Sequence, residues 1–437
     1  MSLRSFIEKL ENDGKLKKVS KEVSTDLEIA NVMSTLGDTP VLFEKIKESD
    51  MRLVGNVCAT RELVSKAFDV DKSELLKTIA NAAENLKTPE IVTDAPCQEV
   101  VLDKPDLNKI PLLKHLEKDG ERYITSGVCV IEDNELGRNS CYHRMMCVSP
   151  TDMVGRIIQH RGTDIALQKV KELEMAICLG NSIPVLIAAS TSLAKDQDEL
   201  AMANAIEDTP LVKCKTIDVH VPKDTEIVIE GVLTKDETDE GPFLDLTETY
   251  DGVRKQPTFR VKCITHRKNP IYHALLPGKL EHKILMGMPK EPTMFNEVSK
   301  VVECKDVLIT PGGCNWLHGV VSITKKTEQD GRKAIEAMFK GHKSLKHCVV
   351  FDSDVNIHDP AEMEWAIATR VQGSKDIIIF KDQFGSSLDP SALAEPGKKT
   401  ITDKVGVDAT IPLDKDKKEF KKVHYPTVNL KDYGLGE

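Results

Sequence analysis

The sequence predicts an α+β fold in three parts, and three observations carry that reading. From about 110 to 300, apolar and polar residues alternate at the period of a strand. After about 300, whole helical and strand patterns alternate with one another, while the first hundred residues mix both kinds and end in the Pro-punctuated region Pro89 to Pro111. At 437 residues the chain is longer than one typical domain and has ample material for a buried core. Residues 1–105 are therefore expected as an N-terminal α/β region, 106–300 as a predominantly antiparallel sheet or barrel, and 301–437 as a layered α/β unit with a charged tail.

Leu3, Phe6, Ile7 and Leu10 recur at helical spacing opposite Glu8, Lys9 and Glu11, which predicts an amphipathic opening helix. Leu75 to Leu86 reads as helix and Val41-Leu42-Phe43 as a short strand. In the central part Ile217, Val219 and Val221 alternate with Asp218 and His220, and Phe259, Val261 and Cys263 alternate with Arg260 and Lys262. Glu226 to Leu233 is short and β-branched. Helices are expected near 164–173 and 198–207. Beyond 300, Arg332 to Phe339 and Ala361 to Arg370 read as helices, and Cys348 to Phe351 and Asp376 to Phe380 as strands, an alternation that suggests a layered unit. The Lys- and Asp-rich stretch from Lys398 is expected to be a surface extension or an oligomer contact.

Composition narrows the function. Seventy acidic against 60 basic residues give a net charge of -10 with no long block of either sign, which argues against a nucleic-acid partner. Aromatics at 4% leave little for base stacking. Eleven cysteines without a Cys-x-x-Cys pair do not form a disulfide framework and point to a reducing cytoplasm. The opening residues are too charged for a signal peptide, and no apolar run reaches the length of a membrane span.

Two segments carry the chemistry: Asn139-Ser140-Cys141-Tyr142-His143-Arg144 and Glu240-Gly241-Pro242-Phe243-Leu244-Asp245. With Leu3-Arg4-Ser5-Phe6-Ile7, Gly55-Asn56, Gln159-His160, Val212 to Thr216, Glu230-Gly231, Leu276-Pro277-Gly278 and Gly385 to Ser391, they follow the order of motifs in the UbiD-like reversible decarboxylases, and the chain resembles that family over roughly its whole length. The resemblance implies a UbiD-like architecture whose central part is a split β-barrel of the flavin-reductase type. It also implies prenylated FMN as cofactor, delivered by a flavin prenyltransferase, and a homo-oligomer, dimer or hexamer, built through the C-terminal region.

In that family a divalent cation beside the flavin phosphate is held by an Asn, a His and a Glu, places that fall here on Asn139, His160 and Glu199, with Ser140, Gln159 and Arg144 adjoining the cofactor. An amide oxygen, an imidazole and a carboxylate leave positions open for phosphate oxygens; Mg²⁺ or Mn²⁺ suits them, and the imidazole tilts the choice towards Mn²⁺. Asp198 competes with Glu199, and Asp198-Glu199 also reads as first-turn helix acids. A lone His160 is an ordinary surface or core histidine. A K⁺ ion bound by carbonyls is implied near Ser190 to Ser192.

Arg144, Glu240 and Asp245 take the places of the family's Arg-Glu-acid triad. Taken alone, Arg144 is a strand salt-bridge residue, and Glu240 and Asp245 bracket a solvated acidic turn. Five residues separate Asn139 from Arg144, an odd spacing that puts them on opposite faces of a continuous strand, so both reach one pocket only through a turn or bulge. Two carboxyls beside one Arg titrate apart, which gives a proton for the carbon that loses CO₂. Asp245 is the expected donor and Glu240 the residue that orders the network.

Decarboxylation of an unsaturated acid leaves a carbanion that side chains cannot stabilise, hence the flavin. The compact length is similar to the archaeal branch of the family, which implies trans-anhydromevalonate 5-phosphate as substrate and isopentenyl phosphate as product, with Lys279, His282 and Lys283 as candidate phosphate contacts. The alternatives are a polyprenyl-4-hydroxybenzoate decarboxylase, a metal-dependent phosphoesterase using Asn139, His160 and Glu199, and a non-catalytic flavin-binding protein.

Overall fold

Leu3–Asn12 is a helix capped by Ser2, whose hydroxyl accepts from the Ser5 amide, and it buries Leu3, Phe6, Ile7 and Leu10. Each such burial stabilises by about 1.5–3 kcal/mol. These four side chains enter a core that also takes Val128 and Val130, Ala176 and Cys178, and Val228 from three central strands. The opening helix is therefore fastened directly to the central sheet. The computed structural model describes residues 1–133, 135, 137–393, 399–423 and 425–435.

Nine strands form the central sheet, every pairing antiparallel. Their order runs Tyr123–Ile124, Met145–Cys147, Asp152–Gly155, Arg254–His266, Ile227–Glu240, Glu172–Leu179, Val128–Asp133, Gly137–Tyr142, with Val100–Leu102 also on Arg254–His266. Gly137–Tyr142 lies at one end of this order and Met145–Cys147 next to the other, yet only His143 and Arg144 join them. Two residues bridge at most roughly 10 Å. The sheet must therefore roll until its ends nearly meet, without pairing to each other among the described residues. This is an open barrel with a seam, and Arg144 sits at the seam.

Smaller sheets flank it. Lys17–Val19, Val41–Phe43 and Arg52–Gly55 form a sheet completed by Ile271–Ala274 from far along the chain. In the C-terminal part the order is Glu303–Ile309, His318–Thr324, His347–Asp352, Ile401–Ala409, Ile377–Phe384. Alternate residues of its strands face two separate cores. Ile309, Val321, Ile323 and Val350 meet Met294 and Val298 of helix Glu291–Ser299 and Ala334, Ile335 and Met338 of helix Asp330–Gly341. Leu308, Val320, Val349 and Phe351 meet Ala366 and Met363 of helix Pro360–Arg370.

Several expected elements shift. The helix expected at 164–173 is Gly162–Lys169, because Glu172–Leu179 is claimed by pairing on both sides as a central strand. The strand expected from Ile217 begins only at His220, since the Lys215 and Thr216 amides turn away to the buried Glu230 carboxylate at 3.0 and 2.7 Å. Lys398 lies outside the described residues, but Ile401–Ala409 just beyond it is an interior strand rather than a surface extension. Its buried Lys404 donates to the Lys343 carbonyl at 2.6 Å, so a charged residue disguises a core position.

Candidate active site

The break between Tyr142 and Met145 resolves the odd spacing of Asn139 and Arg144, because the strand ends and the chain crosses the seam between them. Arg144 there meets the far end of the long strand Ile227–Glu240. Its Nε and Nη2 donate to Glu240 Oε1 and Oε2, both at 2.9 Å, a bidentate fork. Nη1 reaches Asp245 Oδ2 at 3.2 Å, and Nη2 also reaches Asp251 Oδ2 at 2.9 Å. The guanidinium stands 5.1 Å from the Phe243 ring centroid, and Tyr123 packs on that ring while donating its hydroxyl to Glu240 Oε1 at 3.1 Å.

The two expected acids differ in setting. Glu240 is fully buried, and both its oxygens are taken by Arg144 and Tyr123. Asp245 lies on the following turn, 22% exposed, with one oxygen near Arg144 and the other accepting from the Leu246 amide at 2.6 Å. The turn is held close by Gly120, whose amide donates to the Pro242 carbonyl at 2.9 Å. A Cβ on Gly120 would stand 2.3 Å from the Gly241 carbonyl oxygen.

Asp251 is a residue that the motifs did not reveal. It lies opposite Phe243 in the small pairing of Phe243–Leu244 with Tyr250–Asp251. Burial raises its pKa, but Arg144 and Arg254 outweigh that and hold the carboxyl below the usual range. Burial works against the Arg144 charge too, yet Glu240, Asp245 and Asp251 together raise its pKa. His282 adds a neutral imidazole: burial pushes it down to about 4 against the pull of Asp245. Its Nδ1 accepts from the Gly278 amide at 2.9 Å, which assigns the ring proton to Nε2. Lys279 and Lys283, the candidate phosphate contacts, both pair with Glu248.

The other expected group lies further back along Gly137–Tyr142. Glu199 Oε2 accepts from the Ser140 amide at 2.8 Å, bringing Asn139, Ser140 and Glu199 together. Burial pushes the Glu199 carboxyl up to about 8. Asp198 is otherwise engaged: Oδ1 caps helix Glu199–Ile206 at the Leu200 amide, and Oδ2 pairs with Arg138 at 2.7 Å. A Cβ on Gly162 would stand 2.7 Å from Asn139 Oδ1, so the helix start at Arg161-Gly162 presses on that amide. Gln159 and His160 lie on the exposed turn before it. His160 has φ +62° and its backbone amide donates to Asp164 at 2.7 Å; no hydrogen bond joins it to Asn139 or Glu199 among the described residues.

Two features suit this region to a phosphate with its cation. The buried Ser140 hydroxyl has no hydrogen-bond partner among the described residues, and Lys290, bonded to Ser192 and lowered to about 8 by burial and then by Arg161, adds positive charge near that helix start. Cys141, His143 and Thr163 form a small cluster between the two groups, with His143 Nε2 3.3 Å from Cys141 Sγ and 2.9 Å from Thr163 Oγ1.

The chain belongs to the UbiD family of carboxy-lyases. Models of the N-terminal, Rift-related and C-terminal domains of 3-octaprenyl-4-hydroxybenzoate carboxy-lyase match residues 7–83, 90–280 and 283–409. Among its relatives, the anhydromevalonate phosphate decarboxylase of Methanothermobacter thermautotrophicus is 40% identical over 94% of this chain and 97% of its own. That of Methanosarcina mazei is 39% identical over 98% and 100%. The structure of the UbiD-class enzyme HmfF from Pelotomaculum thermopropionicum in complex with FMN superposes with a TM-score of 0.94 at 35% identity, covering 99% of this chain and 100% of that one.

Proposed function

We propose that the chain decarboxylates anhydromevalonate phosphate to isopentenyl phosphate and CO₂ with prenylated FMN. The observation that carries the reading is the seam cluster, a bidentate Arg144–Glu240 pair with the more open Asp245 on the same guanidinium. The activity named for two relatives spanning almost the whole chain supports the substrate. When bound, the prenylated flavin supplies the electron sink that loss of CO₂ from an unsaturated carbon requires.

This chain's residues do the rest. Arg144 orients the substrate carboxylate beside the acids. Glu240, with Tyr123 and Arg144 on its oxygens, fixes the guanidinium plane. Asp245 delivers a proton to the carbon that has lost CO₂, because its carboxyl is the partly exposed one, and Asp251 stays ionised as the counter-charge to Arg144. Asn139 and Glu199, with His160 from the adjoining turn, would hold Mn²⁺ or Mg²⁺, which would supply charge to anchor a phosphate, and Ser140, Gln159, Arg161 and Lys290 would complete that end. A K⁺ ion at Ser190 to Ser192 is part of the same reading, as are delivery of the cofactor by a flavin prenyltransferase and assembly of copies through the C-terminal part.

A phosphoesterase would need neither Arg144 nor its three acids. The test is incubation of flavin-loaded protein with anhydromevalonate phosphate. Isopentenyl phosphate and CO₂ in equal amounts are expected, and a loaded protein that forms neither overturns the proposal.

A further inference from the structure

Cys129 and Cys141 stand directly opposite one another on neighbouring central strands, Val128–Asp133 and Gly137–Tyr142. Of the chain's eleven cysteines, they form the one Cys–Cys pair in the described strand registers. Their side chains share a face. Cys129 and Ile131 enter one core, whereas Val128 and Val130 enter the other, and Cys141 and Asn139 lie opposite Cys129 and Ile131. The Ser140 amide donates outward to Glu199 at 2.8 Å. Ser140 and Val130 are therefore the pair turned away from each other, and Cys129 and Cys141 the pair that exchanges backbone hydrogen bonds. Such residues have Cα atoms about 5.5 Å apart, within the span of a disulfide.

The two thiols differ in access and in neighbours. Cys129 is buried, while Cys141 is partly exposed. Cys141 Sγ lies 3.3 Å from His143 Nε2 and 3.6 Å from Thr163 Oγ1, and it accepts from Asn139 Nδ2 at 3.5 Å. That last contact holds the amide by its nitrogen and leaves Asn139 Oδ1 to face a cation, as contacts behind a metal ligand do. A partly exposed thiol with a buried thiol directly across from it is the arrangement of an oxidised and a resolving cysteine.

We propose that Cys129 and Cys141 are a reversible dithiol switch, oxidised by hydrogen peroxide, that withdraws support from the Asn139 end of the site. Cys141 Sγ takes one peroxide oxygen as the O–O bond breaks, giving a sulfenic acid and water. Cys129 Sγ then attacks Cys141 Sγ, forming the S–S bond and releasing the second water, so the two thiols supply two electrons and two hydrogens to the peroxide. Turning Cys141 towards Cys129 takes its sulfur from Asn139 Nδ2 and from His143. The Cβ atoms of a directly opposed pair are about 5 Å apart, wider than the ~3.8 Å of a relaxed disulfide. The bond is therefore strained and readily reduced, as reversibility requires. The link itself stands on the strand register; its effect on the cofactor rests on the reading of Asn139 as a cation ligand.

The test treats flavin-free protein with hydrogen peroxide and blocks the remaining thiols. Mass spectrometry of the digest is expected to show the Cys129 and Cys141 peptides joined, two hydrogens lighter than their sum, and separated again by dithiothreitol. Affinity for FMN in the presence of Mn²⁺ is expected to weaken roughly 10-fold on oxidation, the size of a lost contact behind a metal ligand, and to recover with dithiothreitol. Peroxide is expected to leave that affinity unchanged in Cys129→Ala, and comparing each protein before and after treatment cancels any general loss of folded protein. Absence of joined peptides overturns the proposal. Equal weakening in Cys129→Ala also overturns it, since oxidation of Cys141 alone would then be the cause, and joined peptides with unchanged FMN affinity overturn the switch. If the untreated parent takes up no FMN, the cofactor reading fails, while the joined peptides still decide on the cysteine pair.

Discussion

Arg144 directs four hydrogen bonds to three carboxylates, and this explains why Glu240 tolerates full burial. Removing the guanidinium strands a buried carboxylate, a change that costs about 3–5 kcal/mol. Arg144→Ala is thus expected to lose that much stability by urea unfolding as well as its activity; a variant as stable as the parent would show that Glu240 is solvated or paired elsewhere. The motifs pointed to Arg144, Glu240 and Asp245 only through the resemblance, since taken alone they read as a strand salt bridge and a solvated turn; the structure brings the three side chains together. Asp251 was hidden: it is an ordinary charged residue in sequence and gains its meaning from the pairing of Phe243 with Asp251. Lys279 and Lys283 pair with Glu248, over thirty residues earlier, a partner that the Leu-Pro-Gly segment alone does not show.

At the scale of elements, the site depends on two chain segments brought together across the seam: the His143-Arg144 crossing and the turn after Ile227–Glu240. Gly120 holds that turn at a distance only a residue without Cβ allows. Gly120→Ala is expected to displace Gly241-Pro242, costing about 1–3 kcal/mol as other overpacked sites do, and to lower kcat by moving Asp245. Unchanged kcat with reduced stability would separate the turn's position from the chemistry. Period-2 alternation made the long central strands legible, whereas the rolling of the sheet was not, because it follows from which strands pair and not from any local pattern. The Ile401–Ala409 strand was masked by its own charges, Asp403, Lys404 and Asp408.

For the whole molecule, buried histidines set the response to acid. Burial pushes His115 and His342 down to about 3 from an ordinary 6.5. Folded they stay neutral while the unfolded chain binds protons below pH 6.5, so stability present above 6.5 is lost as pH falls, by up to about 1.4 kcal/mol per pH unit for each. Glu199, raised to about 8, acts oppositely between pH 8 and 4.5, but His282 and His318, lowered to about 4 by burial, act in the same sense as His115 and His342, so stability still falls with pH. The thermal midpoint of flavin-free protein is expected to fall between pH 6 and 5, and less so in His115→Asn; equal slopes would contradict the buried neutral form. The edge strand Ile377–Phe384 exposes Ile379 at 60% and Phe384 at 55%, an apolar edge suited to the proposed assembly. Ile379→Lys is expected to reduce the mass found by light scattering, and an unchanged mass would place the contact elsewhere.

The most direct test of the seam chemistry is the turnover number of Asp245→Asn, measured against the parent at equal flavin loading with anhydromevalonate phosphate. With Asp245 as the proton donor, the variant keeps its flavin and its turnover drops by about 10²–10⁴, the range of a lost general acid. Parent-like turnover in Asp245→Asn would contradict that role.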